Sequence, residues 1–375
     1  MSPETIRGNR GPVAGSIDTL VRTLRWARLQ VILRAEEALH LPPYAGSTFR
    51  GAFGQAFKRV ACPLRGSCET CTHQAVCVYI NVFETPGSAD GSSLARAARA
   101  AHPFVLEPSD ESAMEVPPGD RVTLGLTLIG RAIGLAPYFV AACRELGRQG
   151  VGRGRGRCTV ERVVAEDPEN VEGRTVYDGT ADLLAPAVPV WSGDTLVASF
   201  DKLRARGGAE GQGSRGVDAG PRTMDDGPWT AVGMGDDGTR GDEQRVTLEF
   251  LTPARLRQDA DLVVQLNFTT LATALLRRVS VLAEVHCGHR TTIDAKAILA
   301  TAADVKVEKS DLRWHDWERY STRQGTRMKL GGFVGRVTFA GPLGPWWPLL
   351  RLGEVLHVGK GTAFGLGKYR VAEEP

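Results

Sequence analysis

One ordered set of signals occurs twice in this chain, and it limits the fold more than any other feature. Leu146-Gly147 to Val160 carries Val151-Gly152-Arg153-Gly154, three further arginines and a strand-like ending; Val358-Gly359-Lys360-Gly361 to Val371 repeats the plan with lysines. The segments upstream correspond too. Thr127-Leu128-Ile129-Gly130 precedes a helical pattern from Pro137, and Thr338-Phe339-Ala340-Gly341 precedes one from Pro345. The two sets stand roughly 210 residues apart, which argues for two copies of one domain rather than a short-period solenoid. Chance likeness between glycine-rich stretches would explain the loops alone, not strand, turn, helix and loop recurring in order.

A chain of 375 residues is long enough for two ordinary cores. Its 42% hydrophobic and 24% charged content are those of a globular protein, and no apolar run approaches the ~20 residues that span a bilayer. No signal peptide is visible, so the cytoplasm is the expected compartment, with cysteines as thiols or metal ligands. Net charge is only +3, yet Arg148, Arg153, Arg155, Arg157 and Arg162 crowd one stretch. Local basic patches with a modest total favour a defined polyanion groove.

Residues 1–28 read as an N-terminal extension, of which 1–17, polar and glycine-containing, are expected to be loose. Leu29 to Glu36 alternates as a strand. Ser47 is a candidate N-cap for a helix to about Val60, with Phe49, Phe53 and Phe57 on one face. Tyr79 to Phe83, Phe104 to Leu106 and Arg121 to Ile129 read as strands, Pro137 to Leu146 as a helix, and the end of Gly150 to Val164 as a strand. This is the split βαβ order of a ferredoxin-like (RRM-like) domain, placed at 29–165 with a four-cysteine insertion at 62–77. Residues 166–244 read as a linker with a flexible insertion, since 207–241 hold eleven glycines and few large apolar groups. A second ferredoxin-like domain is expected at 245–375: a strand at Val246–Leu251, a long helix over Leu262–Val285, strand candidates at Lys306–Tyr320 and Arg327–Phe339, a short helix at Pro345–Val355, then the glycine loop and a last strand. The fold class is therefore α+β with two tandem domains.

The terminal loop, His357 to Val371, has four glycines, three cations and no acid. Such a loop can bring backbone N–H groups to an anion, with Gly359, Gly361, Gly365 and Gly367 permitting the approach and Lys360 and Lys368 adding charge. A Rossmann or Walker loop needs a helix directly after its glycines, and the chain ends too soon for one, so a nucleotide-cofactor enzyme is disfavoured. A clamp on a long polyanion is expected instead, with Arg153, Arg155 and Arg157 of the earlier loop.

Cys62, Cys68, Cys71 and Cys77 follow the spacing C-x5-C-x2-C-x5-C, four of the seven cysteines within sixteen residues. The central C-x-x-C pair can bite one metal from a single turn and the outer two can complete a tetrahedron. Structural zinc is the first choice; an iron–sulfur cluster also takes four cysteines, and small buried thiols are the metal-free alternative. In Trp314 to Gln324, aromatics interleave with Arg319 and Arg323, so bases could stack while guanidinium groups hold phosphates. The same tryptophans would equally suit a strand that alternates them into a core. His40, with Tyr44 close behind, and His357, beside Lys360, are candidates for proton transfer, with Lys58 in support; a lone histidine is more often a hydrogen-bonded structural residue. His102 is weaker, and His286 and His289 read as incidental surface groups.

The run Gly353 to Tyr369 resembles the C-terminal glycine-rich loop of the RAMP superfamily of CRISPR-associated proteins, and in particular of its repeat-processing endoribonucleases. The cysteine segment, Pro103 to Pro108 and Arg319-Tyr320-Ser321-x-Arg323-Gln324 look like a cysteine-containing branch of that group. The resemblance covers about residues 29–372, apart from the insertion. It implies two ferredoxin-like RAMP domains and cleavage of precursor CRISPR RNA within its repeats, without a catalytic metal: the ribose 2′-OH attacks the adjacent phosphate and the 5′-oxygen leaves. Many members place a histidine in or near the first helix; here Ser47 to Val60 has none, His40 lies just before it and His73 just after. His40 is then the expected general base, and CRISPR repeat RNA and other CRISPR effector-complex subunits the expected partners. The alternative is a non-catalytic RAMP subunit that holds guide RNA inside an effector complex.

Overall fold

The computed structural model describes residues 12–64, 68–83, 101–108, 114–199, 244–258, 261–290, 293–316, 318–321, 326–329 and 331–372. The glycine-rich segment 207–241, Gly66, Trp317 and Arg323 lie outside them. Among the described residues no helix is long and apolar enough to cross a membrane.

The extension is not wholly loose. Helix α1 (Pro12–Arg22) begins with a proline, which the first turn tolerates. Ile17, Leu20, Val21 and, just past its end, Leu24 follow helical spacing, and all are fully buried in the core of the second domain. At about 1.5–3 kcal/mol per buried aliphatic, this stripe straps the N-terminus onto the far domain.

The first sheet is built from β1 (Arg25–Ala35), β3 (Phe104–Pro108), β5 (Arg121–Ile129), β6 (Cys158–Asp167), β7 (Asn170–Asp178) and β8 (Leu183–Leu184) in the order β3-β5-β1-β6-β7-β8. A short pair, β2 (Leu39–His40) with β4 (Glu115–Val116), lies beside it, and β9 (Trp191–Ser192) pairs with the start of β1. Thus 170–192, expected as linker, extends the sheet; β7 lies antiparallel to β6. Helices α2 (Gly46–Ala61) and α4 (Ala136–Gln149) flank α3 (Val78–Phe83) in sequence and pack together in the core of this domain. Phe53 and Phe57 of α2 meet Phe139 of α4 at centroid distances of 5.7 and 5.1 Å. Residues 78–83 form a helix rather than the expected strand, because Tyr79 and Phe83, four apart, stack at 5.1 Å along one helical face.

In the second domain β10 (Gln244–Ala254) is followed by a small hairpin, β11 (Arg257–Gln258) with β12 (Asp261–Leu262), then α5 (Phe268–His286) and α6 (Ala295–Ala302). The helix starts at 268 rather than 262, since the Asn267 side chain accepts the Thr270 N–H at 2.8 Å and caps it there. Strands β13 (Lys306–Ser310), β14 (Arg313–His315), β15 (Glu318–Ser321), β16 (Thr326–Lys329) and β17 (Gly332–Gly341) follow, then α7 (Trp347–Leu356) and β18 (Tyr369–Ala372). The sheet order is β13-β17-β10-β18, with β14 also on β17. In each domain the second, third, first and fourth strands of the split βαβ unit lie side by side in that order, all antiparallel. The duplication visible in the sequence is therefore a duplication of topology. Phe268 and Trp346 close the core beneath Phe339, with Phe268 to Phe339 at 5.2 Å.

Candidate functional site

The terminal glycine loop runs along the seam between the domains. Gly359, Gly361, Gly365 and Gly367 all take φ between 70 and 88°, a region that glycine enters without strain, and His357 enters it at 59°. The amides of Val358, Lys360, Phe364, Gly365, Leu366 and Gly367 donate to backbone carbonyls of the protein, and that of Lys368 to Thr252 Oγ1. Val358, Thr362, Ala363 and Leu366 are buried. These seven N–H groups are hydrogen-bonded inside the fold.

What the loop grips is the first domain. The Tyr44 hydroxyl donates to the Phe364 carbonyl at 2.5 Å, and a Cβ on Gly46 would stand 2.2 Å from the same oxygen. Glu107, at the end of β3, faces His357 Nε2 at 3.4 Å and Lys368 Nζ at 3.5 Å. Burial pushes the Glu107 carboxyl up, but His357, then Lys368 and Arg28, outweigh it and hold it at about 2. His357 is wholly buried and not presented to solvent. Farther along the seam, buried His286 meets the Ala101 carbonyl at 2.7 Å, and burial holds it down at about 4; it is not the surface group expected.

Beside the seam lies a cleft of about 1060 Å³ that both domains line. The first domain contributes the start of α2, including Ser47 and Gln55, and the loop 149–155 with Arg155; the second contributes Arg313 and His315 of β14 and Glu249 of β10. Ser47 is not the cap of α2: the helix starts at Gly46, and Ala45 in the N-cap position offers no side-chain cap. The positive end of the α2 dipole thus borders the cleft. Arg313 and His315, two apart on one strand, share a face and are exposed. Trp314, on the opposite face and 39% exposed, donates to Asp316 at 2.8 Å. It is neither a core residue nor part of the cleft lining. Glu249 is engaged by Arg370 at 2.7 Å and Arg336 at 3.3 Å.

The other expected site residues fall in different places. His40 stands near the cleft's edge: Leu41 links it to the lining residues Pro42 and Pro43, and its Nδ1 lies 3.8 Å from Glu115. Its carbonyl accepts the Arg153 N–H at 2.9 Å, which docks the earlier glycine loop against β2. Arg153 and Arg155 are exposed, and Arg157 pairs with Glu37 at 2.9 Å. Lys58 faces the other way, toward Cys68 and Cys62 and 5.5 Å from the Tyr79 ring centre, so it is not in the cleft. Arg319 lies on β15, paired opposite Met328. Lys360 is exposed; burial first, then Arg257, Arg255 and Arg277, lower its pKa. Sequence reasoning missed that basic cluster, which three separate elements assemble, and it missed Arg313 and His315, although their alternation on a strand was a readable signal.

Cys143 and Cys158 are core thiols, both pushed by burial to about 12. Cys62, Cys68, Cys71 and Cys77 line one separate pocket of about 240 Å³.

Residues 248–369 match the family described as CRISPR-associated endoribonuclease Cas6, and residues 24–188 match the N-terminal-domain family AF_1859_N. An uncharacterized protein of Archaeoglobus fulgidus is 26% identical over 141 residues, which is 37% of this chain and 45% of that protein, so the match spans less than half of the relative. Among solved structures, a product complex of the Thermus thermophilus Cas6 TTHB231 superposes with a TM-score of 0.50 at 15% identity, over 92% of this chain and 99% of that one. A partial Cas6-RT-Cas1–Cas2 complex gives 0.51 at 13% identity, over 94% of this chain and 46% of that one. At these identities the likeness to solved structures is one of fold: the tandem ferredoxin-like fold.

Proposed function

We infer that this chain, a CRISPR-associated protein of the RAMP type whose C-terminal domain matches the Cas6 endoribonuclease family, cuts precursor CRISPR RNA within its repeats. The observation that carries the reading is the interdomain cleft, where an uncapped helix end, Arg155, Arg313 and His315 converge from two domains. Cations and a helix N-terminus hold a phosphate, and a histidine side chain can take or give a proton.

In this reading a general base takes the proton of the ribose 2′-OH, whose oxygen attacks the adjacent phosphorus. The P–O5′ bond breaks, and a general acid gives the departing 5′-oxygen its proton. The products are a 2′,3′-cyclic phosphate and a 5′-hydroxyl. His40 at the cleft edge is the base and His315 within it the acid. Ser47 and Arg155 hold the scissile phosphate, and Arg313 stabilises the charge that builds on it. His357, Lys58 and the loop glycines hold the structure that presents these groups. The side chains suffice for this reaction without a catalytic metal. Among the described residues lining the cleft, Glu249 is the one carboxylate, and it is engaged by two arginines, whereas two-metal phosphoryl transfer calls for several converging carboxylates. The exposed cluster of Arg257, Arg277 and Lys360 guides the RNA strand by its phosphates. Other CRISPR-associated subunits are the proposed protein partners, consistent with the fold's occurrence in a Cas6-RT-Cas1–Cas2 complex.

The test is incubation of purified protein with end-labelled repeat RNA in excess chelator. One site-specific cut leaving a 2′,3′-cyclic phosphate supports the reading. Tight binding with no cut identifies the chain as a guide-RNA-holding subunit instead.

A further inference from the structure

Among the described residues of 62–77, no large apolar side chain is buried. Cys62 closes α2, its amide donating to the Lys58 carbonyl at 2.9 Å. Cys68 and Cys71 embrace a turn, the Cys71 amide donating to the Cys68 carbonyl at 3.4 Å. Cys77 ends a single 3-10 turn over Gln74–Val76 and leads into α3. Gln74 Nε2 spans back to the carbonyls of Cys68 at 2.6 Å and Glu69 at 3.0 Å. Every other described residue of 62–77 is exposed, Leu64 at 61% and Val76 at 76%; the four cysteines alone turn inward, and even they are only half-buried. A loop without an apolar core cannot offset the entropy of being fixed, and a metal cross-link is the usual remedy in so short a segment.

We propose that Cys62, Cys68, Cys71 and Cys77 bind one structural zinc ion. All four are free thiols around one pocket, and a C-x-x-C turn flanked by two outer cysteines is the donor set a closed tetrahedral zinc site needs. Among the described residues no three His, Cys, Asp or Glu side chains are gathered tightly enough to hold an ion as they stand. The thiols ring the pocket, and rotation of each about χ1 brings its sulfur inward as the metal binds. Four thiolates around Zn²⁺ leave a double negative charge, and Lys58 stands against Cys68 and Cys62 to offset it. His73 is exposed and its Nδ1 lies 3.1 Å from Thr72 Oγ1, so it is no ligand. With four protein ligands no coordination position stays open. The site therefore fixes the C-terminal end of α2, whose other end borders the cleft, and takes no part in chemistry.

The test is elemental analysis of the full chain purified under reducing conditions from zinc-supplied cells, read independently of any RNA. About one zinc per chain is expected, falling at least tenfold in Cys68→Ser/Cys71→Ser. Because that variant could unfold, chelator-stripped wild type is also titrated with Co²⁺. Thiolate-to-cobalt charge-transfer absorption saturating at one equivalent supports the site. Failure of zinc-supplied wild type to hold metal, retention of full metal by the double variant, or iron with equimolar acid-labile sulfide overturns it.

Discussion

The carboxylate of Glu107 lies 3.4 Å from Nε2 of His357, and the two residues belong to different domains. Lys368 Nζ completes the group at 3.5 Å. Like the Tyr44 hydrogen bond to Phe364, this polar contact ties the terminal glycine loop to the first domain, so the loop seals the joint that holds the cleft open.

Glu107 makes that joint acid-sensitive. Its carboxyl sits at about 2 in the folded chain against 4.5 as a free side chain, a difference on the order of 3 kcal/mol. A folded pKa below the unfolded one stabilises above the unfolded value and loses that stabilisation as pH falls toward the folded one. Urea unfolding should show wild type more stable than Glu107→Gln by about 3 kcal/mol at pH 7, the gap narrowing from about pH 4.5 down to pH 2. A gap independent of pH over that range would mean that Glu107 is not charged in the fold.

Tyr44 and Gly46 form the second tie. Tyr44→Phe removes the hydrogen bond to Phe364 and should cost about 1 kcal/mol. Gly46→Ala puts a methyl 2.2 Å from the Phe364 carbonyl, so the loop must move, at about 1–3 kcal/mol. Both variants should unfold at lower temperature, with Gly46→Ala the worse, when followed by circular dichroism. Equal midpoints for wild type and Gly46→Ala would show that the seam is not as tight as drawn.

The cluster of Arg257, Arg277 and Lys360 predicts a salt effect. Arg257→Ala and Arg277→Ala should each weaken repeat-RNA binding, and each should reduce the slope of log K against log salt by about 0.7. Filter binding across a salt series measures this. The double variant should lose roughly twice as much slope, and its catalytic rate at saturating RNA should match wild type.

Much of the fold was legible because its signals are local. Val246 to Leu251 alternates as a strand must, Phe49, Phe53 and Phe57 repeat at helical spacing, and the paired loops marked the duplication. Misreadings came where distance decided. Tyr79 and Phe83 read as strand residues by composition, yet their rings stack along one face of a helix. Lys58 was grouped with His40 by sequence, yet it lies roughly 16 Å along the axis from Ser47, at the cysteine end of the helix. The terminal glycines signal close approach, and in the fold Gly359, Gly367 and Gly365 approach Arg255, Val358 and Leu106 of the first domain. The alternation of Arg313 and His315 marks a shared strand face, but the cleft they line forms only where the two domains dock.

His40 and His315 separate in a pH–rate profile. A base works when deprotonated, so rate rises with pH through its pKa; an acid works when protonated, so rate falls with pH through its own. Wild-type single-turnover cleavage should therefore be bell-shaped. His40→Ala should lose the rising acidic limb and His315→Ala the falling basic limb, each with a rate about 10²–10⁴ lower at neutral pH and RNA affinity within about twofold of wild type. Exchange of the two limbs between the variants would reverse the roles. An unaltered profile in His315→Ala would remove it from the reaction, leaving β14 to hold RNA through Arg313 alone.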